Sequence, residues 1–116
     1  MADDRLVDKD GADTGWVFAA KLDAVPENGV FAKVIDGAGP LLFSRIGGVL
    51  NCFRNYCPHA GFTIDGGRIA NGAIGCPHHG LTFDLVSGEC LNVRQVYLVT
   101  HPMRLSGDQI EVRLRE

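Results

Sequence analysis

The chain has 116 residues, 46% hydrophobic and 22% charged, with 15 glycines and a formal net charge of −3. That size suits one domain with a modest core, and the charge balance, with no long basic run, excludes nucleic acid as an expected partner. No apolar stretch reaches the ~18 residues of a membrane span, and the acidic start Met1-Ala2-Asp3-Asp4-Arg5 has no apolar signal segment, so a cytoplasmic protein without a membrane partner is expected.

Residues 1–15 are rich in Asp and Gly and predict a flexible acidic tail. A single domain is expected over residues 16–116. Trp16-Val17-Phe18-Ala19-Ala20 predicts a first strand, with Trp16 and Phe18 packed in the core. Lys21 to Gly29 carries a Pro-Glu-Asn-Gly turn signal. Val30 to Ile35 is apolar and β-branched, and Asp36-Gly37-Ala38-Gly39-Pro40 breaks it. Leu41 to Ile46 and Val49 to Asn55 flank Gly47-Gly48, the signature of a two-residue hairpin turn. Cys57-Pro58-His59 forms a tight turn, followed by turns at Gly66-Gly67 and Asn71-Gly72. Ala73-Ile74-Gly75 leads into Cys76-Pro77-His78-His79. Val96 to Thr100, Leu105 and Gln109 to Leu114 predict closing strands, the last two joined at Ser106-Gly107-Asp108. No segment keeps a helical period for three turns. The fold class is therefore all-β, a small antiparallel sandwich or barrel. His101, before Pro102, reads as a turn residue with no ligand role, and Arg54, Arg68 and Arg94 as isolated surface charges.

Cys57, His59, Cys76 and His79 carry the chemistry. Each half supplies one thiolate and one imidazole beside a proline, and the gap between the halves is 16 residues. Such a set can hold a metal, and the residues alone leave its identity open. Zinc takes Cys₂His₂ sets tetrahedrally, from a Cys pair and a separate His pair. Here each half is mixed, which suits a binuclear cluster with both Cys on one iron and both His on the other. Cys52 and Cys90 remain and read as free buried thiols, because a reducing cytoplasm disfavours a disulfide between them.

The flanking residues add a resemblance. Cys57-Pro58-His59-Ala60-Gly61 and Cys76-Pro77-His78-His79-Gly80-Leu81-Thr82-Phe83-Asp84, with Ser87-Gly88 after them, resemble the two cluster-binding loops of Rieske proteins. The resemblance covers roughly residues 16 to 114. It implies the Rieske fold, a β base with a cluster-binding insert at about 53–86. It implies one [2Fe–2S] cluster, with Cys57 and Cys76 on one iron and His59 and His79 on the other, the two imidazoles at the protein tip. The family pattern Cys-x-x-His selects His79 over its neighbour His78. Pro58 and Pro77 would stiffen the turns, and Gly61 and Gly80 would let backbone pass close to the cluster.

High-potential relatives carry a further Cys in each loop and a Ser and a Tyr after the second. Phe62, His78, Leu81 and Phe83 stand at those places, and neither Leu81 nor Phe83 can donate a hydrogen bond. A potential near the low end of the Rieske range, about −150 mV, is expected. The resemblance implies a one-electron carrier, not an enzyme on its own, and a monomer is expected. It would pass electrons from an NAD(P)H-dependent flavoprotein reductase to a terminal oxygenase acting on an aromatic compound. Three other readings compete: the small subunit of an assimilatory nitrite reductase, a Rieske fragment of a larger oxygenase, and a zinc module serving interaction.

Overall fold

The computed structural model describes residues 15–58, 62–77 and 80–114. The expected tail, apart from Gly15, lies outside the described residues. Nine strands run in chain order: β1 (Trp16–Lys21), β2 (Gly29–Ile35), β3 (Gly39–Ile46), β4 (Val49–Arg54), β5 (Ile69–Ala70), β6 (Ala73–Gly75), β7 (Thr82–Asp84), β8 (Met103–Ser106) and β9 (Gln109–Arg113). They form three three-stranded sheets in the orders β1-β9-β8, β2-β3-β4 and β5-β6-β7. Every pairing is antiparallel. The helical content described is a single 3₁₀ turn at Leu22–Ala24. Among the described residues no helix is long and apolar enough to cross a membrane.

The middle sheet is buried on both faces. Leu41, Leu42, Phe43 and Ser44 of β3 are all fully buried, and they alternate sides as a strand must. Leu41 and Phe43, with Cys52 of β4, join Ile110, Val112, Ala19 and Val25 in a base core. Leu42 and Phe53 face the other way, into a core with Ile64, Ile74, Phe83, Leu85 and Leu98. Ser44 points the same way and donates to the Leu85 carbonyl at 2.6 Å. β2 repeats the alternation: Val30 and Ala32 pack on the second core. Phe31 faces the first, its ring centroid 6.3 Å from that of Phe43.

The expected turns have the conformations their residues suggest. Gly47 and Gly48 take φ of 59° and 82°, and Asn71 and Gly72 take 54° and 76°. Paired positive values suit the right-handed twist of a two-residue hairpin.

Three expectations need correction. Pro40 does not break the chain between strands, because β3 begins at Gly39 and pairs Pro40 with Val34. A proline is tolerated near a strand's start, and its carbonyl accepts from the Asn55 N–H at 3.0 Å. Val96 to Thr100 is not a strand. Its hydrogen bonds go alternately to different partners: Leu98 N–H donates to Gly88, while the Val99 carbonyl accepts from Arg54 N–H of β4. Single rungs on two sides make isolated bridges, not a ladder. Finally, Trp16 and Phe18 are not core residues. The register slips between Phe18 and Ala20, which buries both Ala19 and Ala20 and leaves Phe18 50% exposed. The Lys33 ammonium lies 5.6 Å from the Phe18 ring, and the Arg104 guanidinium 4.4 Å from that of half-buried Trp16.

Candidate metal centre

Two turns leave the second core and return to it. The first follows β4. Cys57 is fully buried, while Pro58 beside it is exposed. The Cys57 N–H donates to the Phe62 carbonyl at 2.7 Å. The second follows β6, with Cys76 buried and Pro77 exposed. The Cys76 N–H donates to the Leu81 carbonyl at 2.6 Å. Both turns thus close from residue i to residue i+5 and carry the chain from core to surface in one step. Gly80 completes the second turn at φ 73°, where a side chain would be strained, and its N–H donates to the Cys76 carbonyl at 3.3 Å.

Cys57 and Cys76 belong to one core, with Leu42, Ile64, Ile74 and Phe83. His59, His79, the neighbouring His78, and Gly61 lie outside the described residues. The fit of a metal group rests on the two cysteines. A bare thiolate in such apolar surroundings is costly, and a bound metal cation removes that cost. Thiolate ligands also select soft metals and iron–sulfur clusters.

The other two thiols are of a different kind. Cys52 lies in mid-strand in the base core, and burial pushes its pKa up to about 12, so it stays protonated and inert. Cys90 lies in the other core, across the middle sheet from Cys52. Both are free, as expected. His101 is buried, with Nε2 2.7 Å from the Arg113 carbonyl, a packing role rather than a ligand role. Arg68 and Arg94 are exposed, whereas Arg54 is half-buried and lines a shallow groove with His101 and Arg113.

Phe83 is fully buried, and Leu81 packs on the same core. Neither brings a donor to the site. Asp84, next along, accepts from Ser87 N–H at 2.7 Å and Val86 N–H at 3.0 Å, forming the turn after β7. Those bonds, the Ser87 N–H first, hold its carboxyl below the ordinary value of 3.8 against a smaller opposing effect of burial.

Two asparagines brace the turns, and neither stood out in the sequence. The Asn55 Oδ1 accepts from the Ile64 N–H and its Nδ2 donates to Asp65 Oδ1, both at 2.9 Å. Asn92 makes contacts of the same kind at the exit of the second turn. The usable signal was position: Asn55 directly follows β4, two residues before Cys57, where a carboxamide can replace backbone partners.

Comparison with known proteins agrees with this architecture. The ferredoxin component of a naphthalene 1,2-dioxygenase system from Pseudomonas aeruginosa is 27% identical over 101 residues, covering 85% of this chain and 95% of that protein. The solved ferredoxin of carbazole 1,9a-dioxygenase from Nocardioides aromaticivorans IC177 superposes with a TM-score of 0.74 at 25% identity, covering 88% of this chain and all of that one. An NADH-dependent nitrite reductase small subunit from Mycobacterium tuberculosis has the same fold, with a TM-score of 0.71 at 19% identity, covering 87% of this chain and 96% of that one. The model of the Rieske [2Fe-2S] domain family matches residues 15–102. The chain therefore belongs to the Rieske [2Fe-2S] domain family and carries one Rieske-type [2Fe–2S] cluster, not zinc.

Proposed function

We propose that this chain is a Rieske-type ferredoxin, a low-potential one-electron carrier. It accepts electrons from an NAD(P)H-dependent flavoprotein reductase and delivers them singly to a terminal oxygenase acting on an aromatic compound. Cys57 and Cys76 ligate one iron, and His59 and His79 the other, with about 53–86 as the ligand-bearing insert. The observation that carries this reading is the end-to-end match to a ferredoxin component, 95% of its length. The bound cluster supplies storage for one electron at a potential raised by its His ligands.

The chain's own residues support the assignment. Buried Cys57 and Cys76 keep the thiolate side dry among Leu42, Ile64, Ile74 and Phe83. Pro58 and Pro77 are already exposed, which favours His59 and His79 at the rim where a partner can approach. Such an arrangement shortens the electron's path while the apolar wall keeps water from the sulfurs. The reading makes the protein a cytoplasmic monomer that touches no substrate.

The test is anaerobic reduction by NADH or NADPH through a purified flavoprotein reductase. Bleaching of the visible absorbance, then reoxidation by an aromatic-ring oxygenase with its substrate and oxygen, is the expected result. A second reading, the small subunit of a nitrite reductase, has the shared fold in its favour. A protein inert with such oxygenases that restores nitrite reduction to a large subunit would replace the first reading by the second.

A further inference from the structure

Besides the pairing of β7 with β6 and the packing of Leu81, a side chain from the segment after β7 holds the second ligand turn. β7 pairs with the segment 89–91: Asp84 N–H donates to Glu89 at 2.8 Å, Leu91 N–H donates to Thr82 at 2.7 Å, and Phe83 and Cys90 bridge between them. A regular antiparallel ladder would continue with Thr82 N–H donating to the carbonyl of 91 and residue 93 N–H donating to the carbonyl of Gly80. The chain bends away instead and reaches Gln95 at φ 65°. The Asn92 carboxamide takes over both places. Its Oδ1 accepts from Thr82 N–H at 3.1 Å, and its Nδ2 donates to the Gly80 carbonyl at 2.9 Å. The Cys90 thiol also donates to Oδ1, at 3.2 Å, which orients the amide.

We infer that Asn92 is a positioning residue for the cluster: by completing the ladder past Thr82 it holds the turn that begins at Cys76 in ligating register. The inference rests on the reading that Cys76 and His79 are ligands. Its mechanical basis is short. The Cys76 N–H donates to Leu81 and the Gly80 N–H to Cys76, so the turn is closed on itself. A grip on residues 80 and 82 is thereby passed to the cysteine without slack. Asn92 is itself exposed, so its hydrogen bonds trade against water and contribute little to global stability. A purely structural role and a positioning role therefore differ in what they predict.

The experiment compares holoprotein of the wild type, Asn92→Ala, Asn92→Asp and Ser44→Ala. Asn92→Asp keeps the acceptor for Thr82 and loses the donor to Gly80. Ser44→Ala removes a buried hydrogen bond to Leu85 and controls for lost stability. Asn92→Ala should release its cluster to a chelator about tenfold faster or more, as losses around metal ligands do. Its reduced EPR line shape should change, and hydrogen exchange over residues 80–85 should quicken. Asn92→Asp should fall between Asn92→Ala and wild type. Ser44→Ala should melt earlier with its line shape intact. A wild-type release rate and line shape in Asn92→Ala would overturn the inference, as would faster release that only tracks lost Tm as in Ser44→Ala. The wild-type EPR spectrum separately tests the mixed His/Cys assignment. The release ratio still reports on the grip of Asn92 if that assignment fails.

Discussion

Gly67→Ala should damage the ligand-bearing half far more than its size suggests. A Cβ placed on Gly67 would stand 1.8 Å from the Gly75 carbonyl oxygen, 2.9 Å from its carbon and 3.2 Å from the Ile64 carbonyl oxygen. Carbon and oxygen that are not bonded settle at about 3.3 Å or more, so the Gly75 carbonyl must retreat by about 1.5 Å. Every one of these atoms is backbone, and no rotamer relieves the clash. The retreat breaks the Gly75 N–H bond to Arg68 at 2.9 Å. Stranding its partners costs about 1–3 kcal/mol, and overpacking adds a similar amount, so about 3 kcal/mol or more is expected. That is more than a hundredfold in the folding constant. The damage lies one residue before Cys76, so cluster retention should fall with stability. Denaturant unfolding of the holoprotein, followed by cluster absorbance and far-UV circular dichroism, measures both. Gly66→Ala is the control: a Cβ there meets nothing within 4 Å, and its φ is not left-handed. It should change stability by less than about 1 kcal/mol, in the stabilising direction through the unfolded chain. Equal behaviour of the two variants would refute the steric argument.

Three further outcomes are expected. The reduction midpoint should lie near about −150 mV, because Leu81 and Phe83 offer the cluster no donor; Phe83→Tyr should raise it, and a clearly positive wild-type midpoint in a redox titration would contradict the assignment. His59 or His79 replaced by Ala should lose the mixed-ligand EPR signal, whereas His78→Ala should keep it, and loss in His78→Ala would mean that the wrong imidazole is assigned. Asp84 has a folded pKa below its unfolded one, so its stabilising effect is present above the ordinary value of 3.8 and is lost as pH falls through the folded value. Asp84→Asn should lower stability at neutral pH and flatten the acid limb of a stability–pH curve, and an unchanged acid limb would place the linkage on another carboxyl.

Much of the base was legible because its signals are local. β2, β3 and β4 each run six residues or more, with apolar side chains at strand spacing and a Gly-Gly pair between β3 and β4. β5 and β7 have two and three residues, too few to show a period, and only the packing of Ile69 and Phe83 reveals them. Phe18 was misplaced because a bulge is a register event between two strands, invisible along one of them. The two cysteines that the spacing singles out are brought into one core. Asn55 and Asn92 were not legible in the sequence, because their worth lies in backbone groups 9 to 12 residues away.

The two cores divide the fold into halves of different strand content. β1, β8 and β9 have six, four and five residues and close over the aliphatic side chains of the base core. That half has the strand lengths of an ordinary small sheet. The strands of the other half, β5, β6 and β7, total only eight residues. A ladder so short contributes little by itself, and two of the side chains filling its core are Cys57 and Cys76, the proposed ligands. On the proposed ligation, cluster binding and the folding of that half are coupled. β3 joins the two halves: Leu41 and Phe43 face one core, Leu42 and Ser44 the other. A strand shared in this way fixes the short-stranded half, with Cys57 and Cys76 in its core, to a base that folds by ordinary burial.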